Sequence, residues 1–141
     1  MLNGQFQHTL DAKGRLILPA RIREVLGSKF CLTKGFEHCL NLYPIEEWEK
    51  FEARLDELPA FSKQARKLKR HFVGSFMDVE PDKQGRFLIS QPLREFAGID
   101  KDVTVIGVSD HVELWSTERY YAYEEDDTDG SIEDMAESLI S

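Results

Sequence analysis

Short apolar segments bounded by polar turns cover the first third of the chain, and their lengths predict a β-rich unit. Apolar residues occupy positions 16–18 shortly after the polar turn 11–14, whose last residue is a glycine, which is typical of a tight hairpin. Pro19 then favours the first turn of a short helix, and Gly27 favours its end. The predicted elements are strands at residues 6–10, 15–18, 30–33 and 39–43 and a helix at residues 19–26.

The same pattern returns later in the chain, which indicates an internal duplication. Residues 11–27 read DAKGRLILPARIREVLG, and residues 82–98 read DKQGRFLISQPLREFAG. The second unit is therefore predicted to have strands at residues 75–79, 86–89, 103–108 and 112–115 and a helix at residues 91–97. The positions that are identical in the two copies are Asp11/Asp82, Gly14/Gly85, Arg15/Arg86, Arg23/Arg94, Glu24/Glu95 and Gly27/Gly98.

A unit of about 45 residues buries too little apolar surface to be stable alone. The apolar runs at residues 16–18, 87–89 and 103–108 also indicate strands that are buried on both faces. We therefore predict an α+β, β-rich fold in which the two units pack as an intramolecular pseudo-dimer around one core. The predicted divisions are a first unit at residues 5–47, a helical insertion at 48–75, a second unit at 76–119 and an acidic tail at 120–141.

Helical periodicity marks the insertion and the tail. In the insertion, apolar residues recur every three or four positions, and Pro59 separates two helices. After the second unit, Ser116 and Thr117 suit the start of a helix that extends to Tyr123, and residues 131–140 carry a weak apolar stripe. The apolar residues of the insertion are Ile45, Trp48, Phe51, Leu55 and Leu58 in the first helix and Phe61, Ala65, Leu68 and Phe72 in the second.

Five positive charges lie within residues 63–70, on the second helix of the insertion. They would suit contacts with nucleic-acid phosphates, which are sensitive to salt and independent of sequence. They would equally suit the acid-rich first helix of a neighbouring chain, because acidic and basic helices in tandem are complementary. The acids of that first helix are Glu46, Glu47, Glu49, Glu52, Asp56 and Glu57.

The net charge of −8 arises entirely in the tail. Residues 120–141 carry eight acids and no Lys or Arg, whereas 18 acids balance the 18 basic residues of positions 1–119. A neutral body can hold local basic patches, so the net charge does not exclude DNA binding. The tail is interpreted as solubilising, and repulsion of non-target DNA is its alternative use.

The composition favours a cytoplasmic protein of one compact domain, or of two small domains that pack together, within its 141 residues. No stretch approaches the about 20 apolar residues of a membrane span, and the N-terminus has no apolar run of signal-peptide length. Two cysteines do not make a disulfide framework. We therefore expect neither a membrane protein nor a secreted disulfide scaffold.

Catalysis finds little support in the sequence, and we expect neither an enzyme nor a cofactor or metal site. No nucleophile elbow, phosphate-binding loop or metalloprotease spacing occurs. Cys31 and Cys39 lack a partner pair and are expected to be small core residues. Asp11 and Asp82 could be interpreted as paired catalytic carboxylates, but each lies three residues before a Gly-Arg sequence, and a turn role explains both. The histidines, which are expected to be packed or solvated, are His8, His38, His71 and His111.

The repeated turns offer the stronger signal, because each is followed by an arginine. Arg15 and Arg86 would project from a paired β platform, and a two-stranded ribbon fits the major groove of DNA, where arginine recognises guanine. The alternative is an arginine that only forms a surface ion pair with its own aspartate. The predicted DNA-binding residues are Lys13, Gly14, Arg15, Lys83, Gly85 and Arg86. The lysines among them would contact phosphates, and Asp11 and Asp82 would shape the turns.

The duplicated D-x-x-G-R unit with its proline-started helix resembles the SpoVT–AbrB swapped-hairpin domain. Two copies separated by a helical pair, with QHTLDAKGR at residues 7–15 and ELW at 113–115, resemble the MraZ family of bacterial regulators. The resemblance implies a swapped-hairpin β-barrel with peripheral helices, and a nucleoid-associated regulator of the division and cell-wall gene cluster, often of its own operon. It also implies binding to G-rich direct repeats in promoter DNA by a ring-like homo-oligomer. The family's D-x-x-x-R signature falls on Asp11 and Arg15 and again on Asp82 and Arg86.

Two other functions are compatible with the sequence. The first is a protein-interaction module, similar to an antitoxin, that uses the same fold without sequence-specific DNA binding. It predicts a stable complex with a partner protein. The second is an enzyme built on a small β-barrel, which would need a convergent catalytic cluster.

Overall fold

The computed structural model describes residues 1–140, within which the chain forms eight strands and six helices. The first half contains β1 (Gln5–Thr9), β2 (Arg15–Ile17), α1 (Ala20–Leu26), β3 (Phe30–Lys34), β4 (Leu40–Pro44), α2 (Ile45–Asp56) and α3 (Lys63–Phe72). The second half contains β5 (Met77–Val79), β6 (Arg86–Leu88), α4 (Gln91–Ala97), β7 (Asp102–Gly107), β8 (Val112–Ser116), α5 (Thr117–Glu125) and α6 (Ile132–Leu139). Every predicted element is present, within the one or two residues by which element ends vary.

The strands form one six-stranded antiparallel sheet, in the order β1-β7-β8-β4-β3-β5, and a separate two-stranded ribbon of β2 and β6. Strands of one unit pair with strands of the other in β1–β7, β3–β5, β4–β8 and β2–β6. The α+β class is therefore confirmed. Within residues 1–140 the six-stranded sheet is open, with β1 and β5 at its edges, so the closed barrel implied by the resemblance is not observed.

The strands that flank each repeated turn do not pair with each other as a local hairpin. In the first unit, β1 pairs with β7 and β2 pairs with β6. Both partners belong to the second unit, so the turn between β1 and β2 is held by strands that lie more than 70 residues away in the sequence. This exchange connects the two units through backbone hydrogen bonds as well as through side-chain packing.

The main core draws buried residues from both units. The side chains of Leu16 and Phe87 are buried on the inner face of the ribbon. The rings of Phe30 and Phe87 pack edge to face, with their centroids 5.3 Å apart. The prediction that both apolar runs of the ribbon are buried on both faces is wrong, because Ile17 is 42% exposed and Leu88 is 53% exposed. A ribbon that lies on the core by one face leaves every second residue in solvent.

The helices of the insertion cover a second, smaller core on β3 and β4. Trp48 and Leu55 of α2 are buried there, and so is Phe72 of α3. Ser62 caps α3 by accepting a hydrogen bond from the Ala65 amide. Phe61 therefore lies before the helix and is almost fully exposed, which corrects its predicted place in the apolar stripe.

Candidate nucleic-acid interface

Asp11 organises the turn between β1 and β2. One carboxylate oxygen, Oδ1, accepts hydrogen bonds from the backbone amides of Lys13 and Arg15, each at 2.9 Å. The other, Oδ2, accepts from Nε of Arg15 at 2.6 Å. The Gly14 amide donates to the Asp11 carbonyl, and Gly14 has a φ of +82° that favours glycine. The side chain of Asp11 thus joins the turn backbone to the guanidinium that follows it.

The second turn repeats this arrangement. Oδ1 of Asp82 accepts from the amides of Gln84 and Arg86 at 2.9 Å, and Oδ2 accepts from Nε of Arg86 at 2.8 Å. Gly85 has a φ of +81°. The two copies are therefore alike in hydrogen bonding as well as in sequence, although Lys13 of the first turn is replaced by Gln84 in the second.

Both turn aspartates remain ionised at neutral pH. The backbone amide of Arg15 lowers the pKa of Asp11 against the opposing effect of burial, and the Arg15 guanidinium and the Lys13 amide lower it further. The Arg86 amide and guanidinium have the same effect on the pKa of Asp82. Each ion pair engages only Nε of its arginine. The two terminal nitrogens of that guanidinium have no hydrogen-bond partner within residues 1–140.

The register of the ribbon puts both arginines on one face. Arg15 lies opposite Leu88, and Ile17 lies opposite Arg86, while Leu16 and Phe87 face each other on the buried side. Because side chains alternate along a strand, the outer face of the ribbon carries the two arginines at diagonal corners and two apolar side chains at the others. Both guanidinium groups are partly exposed.

Arg15 and Arg86 also line one open groove of about 920 Å³. Asp11, Ile17 and Gln84 contribute from the ribbon side, and Gln7 to Thr9, Asp102 and Thr117 form the opposite wall. The predicted residues Lys83 and Gly85 lie with Asp82 in a neighbouring groove of about 530 Å³, whereas exposed Lys13 lines neither. The structure thus brings the two arginines to one groove and leaves both lysines outside it.

Two arginines that the sequence prediction did not include lie against the turns. A Cβ atom added to Gly14 would be 2.7 Å from Nη1 of Arg94, and one added to Gly85 would be 2.7 Å from Nη1 of Arg23. Each guanidinium therefore comes from a helix of one unit and covers the turn of the other. Nε of Arg94 is buried without a hydrogen-bond partner in the part of the chain that is described. The signal in the sequence that could have identified them is that Arg23 and Arg94 are identical residues at equivalent positions of the two repeats.

Other chemistry is sparse in the described residues. No group of three or more His, Cys, Asp or Glu side chains within positions 1–140 is arranged to hold a metal ion. Burial raises the pKa of the Cys31 thiol to about 11 and that of Cys39 further. No described helix combines the length and the apolar character that crossing a membrane requires.

Comparisons with known proteins agree on one family. The family model described as "MraZ protein, putative antitoxin-like" matches residues 1–71 and again residues 73–141. A protein of Thermoanaerobacter sp. is 52% identical over 99% of this chain and 96% of its own length. Relatives from Caldanaerobacter subterraneus (50%, covering 99% and 96%) and Lactiplantibacillus plantarum (44%, covering 99% of each chain) are similar throughout. All three relatives are named transcriptional regulator MraZ.

Proposed function

This chain belongs to the MraZ family, and we propose that it is a sequence-specific DNA-binding transcriptional regulator, not an enzyme, that recognises bases with Arg15 and Arg86. The observation that carries the proposal is the shared outer face of the ribbon, from which both guanidinium groups extend beside one groove. A two-stranded ribbon fits the width of the major groove, and arginine is the commonest partner of guanine there.

The ion pairs between the turn aspartates and the arginines are compatible with recognition of DNA bases by the same arginines. Asp11 and Asp82 each engage Nε of their arginine and leave both terminal nitrogens available. Two parallel donors match the O6 and N7 acceptors of guanine, and a side chain that is already held loses less conformational entropy on binding. The surface ion pair and the DNA contact are therefore compatible uses of the same residue.

Basic residues in and against the two turns would supply the contacts to phosphates. Lys13 and Lys83 are exposed within the turns, and Arg23 and Arg94 lie against the turn glycines. These charges would fix the position of the ribbon on the duplex without reading sequence. The excess of acidic residues in the tail does not oppose such contacts, because the body of the chain is balanced in charge.

We further propose a target and an assembly. The target is G-rich direct repeats in promoter DNA of the division and cell-wall gene cluster, including the promoter of the protein's own operon. The two units act as an intramolecular pseudo-dimer, and several chains form a ring-like, nucleoid-associated homo-oligomer. The pairing of strands between the two units supports the pseudo-dimer, because the two strands that carry the arginines, β2 and β6, pair antiparallel with each other.

Footprinting on DNA upstream of the protein's own gene tests the function. The wild-type chain is expected to protect repeated G-rich boxes, and Arg15→Ala or Arg86→Ala is expected to weaken binding by about 1–3 kcal/mol per contact. Lys50→Ala, which removes an exposed charge on α2, is the matched control and is expected to bind normally. Normal protection by a folded Arg15→Ala/Arg86→Ala variant would refute the proposal.

A second candidate is a protein-interaction module without sequence-specific DNA binding. The exposed side chains of Ile17 and Leu88 favour it, since apolar residues on the same face would suit a protein partner. It predicts a stable complex with another protein, and DNA binding that is absent or equal on G-rich and scrambled duplexes. The same footprinting experiment with a scrambled duplex separates the two functions.

A further inference from the structure

The outer face of the ribbon carries two large apolar side chains that the core does not use. Ile17 of β2 is 42% exposed and Leu88 of β6 is 53% exposed, whereas Leu16 and Phe87 cover the core from the other face. A strand with one face in solvent ordinarily places apolar residues inward and polar residues outward. Apolar side chains exposed together on one face therefore indicate a contact with something outside the folded chain.

The two apolar side chains alternate with the two arginines. Along the chain, each repeat places its arginine two residues before its apolar residue, as Arg15 and Ile17 in the first copy and Arg86 and Leu88 in the second. Across the ribbon, Arg15 lies opposite Leu88, and Ile17 lies opposite Arg86. Ile17 also lines the open groove that both arginines line. A ligand that reaches the guanidinium groups therefore also meets an apolar side chain.

The spacing of these side chains matches the spacing of stacked base pairs. Residues two apart on an antiparallel strand are separated by about 6.8 Å, and residues opposite each other in a ribbon by about 5 Å. Base pairs in a duplex repeat about every 3.4 Å. An apolar side chain thus lies within about two base-pair steps of each arginine, whether the ribbon lies along the groove or across it.

Thymine is the base that presents an apolar group in the major groove. Its C5 methyl group lies there and accepts apolar contacts, whereas the guanine edge presents the O6 and N7 acceptors that suit arginine. Cytosine, the other pyrimidine, presents an amino donor and no methyl group. The outer face of the ribbon combines hydrogen-bond donors for guanine with an apolar surface for thymine, and phosphates would offer nothing to Ile17 or Leu88.

We propose that Ile17 and Leu88 are specificity-determining residues, which contact the C5 methyl groups of thymines within about two base-pair steps of the guanines that Arg15 and Arg86 recognise. This inference rests on the proposed DNA-binding function and extends it from guanine to a second base. It assigns the two apolar side chains to DNA, whereas the second candidate function assigns them to a protein partner.

Replacing thymine with uracil tests the contact, because uracil keeps the base pair and lacks only the methyl group. The full chain is titrated with a duplex that carries the footprinted G-rich boxes, and with the same duplex in which uracil replaces every thymine in and beside the boxes. Affinity is expected to fall about fourfold for each contacted methyl group, the factor that corresponds to burying one methyl-sized group. Equal affinity for the two duplexes would overturn the proposal, and so would protected boxes that have no thymine near their guanines.

Ile17→Ala/Leu88→Ala shows whether these side chains sense the methyl group. This variant is expected to bind the thymine duplex more weakly than wild type and to bind both duplexes equally. Val73→Ala removes an apolar side chain of similar exposure, 41%, at the end of α3 and is expected to keep the full difference. Circular dichroism checks that each variant is folded. A thymine–uracil difference that persists without Ile17 and Leu88 would contradict the proposal, because another residue or the stiffness of the duplex would then cause it.

A duplex with 7-deazaguanine separates this inference from the proposed function, because that base lacks the N7 acceptor of guanine. If the wild-type chain loses affinity for the 7-deazaguanine duplex but not for the uracil duplex, only this inference fails. If it loses affinity for the uracil duplex alone, the contact with thymine stands and recognition of guanine by Arg15 and Arg86 fails. If it binds none of the duplexes, both proposals are refuted.

Discussion

Leu16 and Phe87 lie directly opposite each other at the centre of the two-stranded ribbon, one from each repeat. Both are buried, and the ring of Phe87 contacts that of Phe30, the first residue of β3 in the six-stranded sheet. The outer face of the same two strands carries Arg15 and Arg86. The apolar pair therefore fixes the platform from which both arginines extend.

Replacing Leu16 with Ala is expected to lower the free energy of unfolding by about 2–5 kcal/mol, because the site is fully buried and a cavity remains. The adjacent Ile17→Ala variant is expected to change it by about 0.5 kcal/mol or less, since that side chain is exposed on the outer face. Urea unfolding measures both. Equal destabilisation by the two variants would mean that the ribbon does not lie on the core by the Leu16 face.

Replacing Asp11 with Ala is expected to weaken DNA binding, because the carboxylate holds both the turn amides and Nε of Arg15. Asp11→Asn keeps an oxygen for the amides but loses the ion pair, so its affinity should lie between those of wild type and Asp11→Ala. Titration against a G-rich duplex, with circular dichroism as the control for folding, checks this order. Asp11 acts as a positioning residue, so identical affinities for Asn and Ala would argue against a role of the turn amides.

Removing Lys13 is expected to change the salt dependence of DNA binding more than its sequence preference. Loss of one phosphate contact per chain should reduce the slope of log affinity against log salt by about 1, whereas Arg15→Ala should reduce discrimination against substituted G-rich boxes. Binding curves at four salt concentrations measure the slope. Lys29→Ala, at an exposed position after α1, is the control.

Arg23→Ala and Arg94→Ala are expected to weaken DNA binding while leaving stability almost unchanged. Both guanidinium groups lie on the turn glycines of the opposite unit, and Nε of Arg94 gains no hydrogen bond in return for its burial. Thermal unfolding and duplex titration of the same preparations separate the two effects. A large loss of stability would assign these arginines to the packing of the two units instead.

The stability of the fold is expected to decline through His111 as the pH rises above about 6.5, the ordinary pKa of histidine. Burial opposes protonation, but hydrogen bonds with Glu113 and Asp110 outweigh it and raise the pKa of His111. The folded state therefore binds the proton more tightly than the unfolded state, so this stabilisation is complete below the unfolded pKa and is lost as the pH rises through the folded pKa.

His111→Gln tests that pH dependence. The difference in free energy of unfolding between wild type and variant should be largest near pH 5.5 and should shrink toward pH 8.5. At lower pH the contribution falls again as Glu113 is protonated, although the hydrogen bonds with His111 and Trp115 keep the pKa of Glu113 below its usual value against the opposing effect of burial. A constant difference across the range would exclude His111 as the titrating group.

Much of the local structure was predictable from the chain. The turns at residues 11–14 and 82–85 depend on an aspartate, a glycine and their own backbone amides, all within five residues, so a sequence pattern is sufficient to identify them. The same holds for α1 and α4, which begin close to a proline and end at a glycine. The duplication also identified Arg15 and Arg86 as equivalent.

The burial of individual side chains could not be predicted in this way. A short apolar run indicates a strand but not the number of faces that will be covered, so Ile17 and Leu88 were expected to be buried and are exposed. Likewise, helical spacing included Phe61 in a stripe that begins only after the cap at Ser62. Burial depends on what lies above each face, which is a property of the assembled chain.

The sequence by itself determined the repeat, the turns and the positions of the two arginines, because these depend on hydrogen bonds and periodicities that act between near neighbours. Only the tertiary structure decided that Arg15 and Arg86 share one face and that Arg23 and Arg94 each cover the turn of the opposite unit. These relationships join residues about 70 positions apart, and they arise from strand exchange between two units that cannot bury their apolar faces alone.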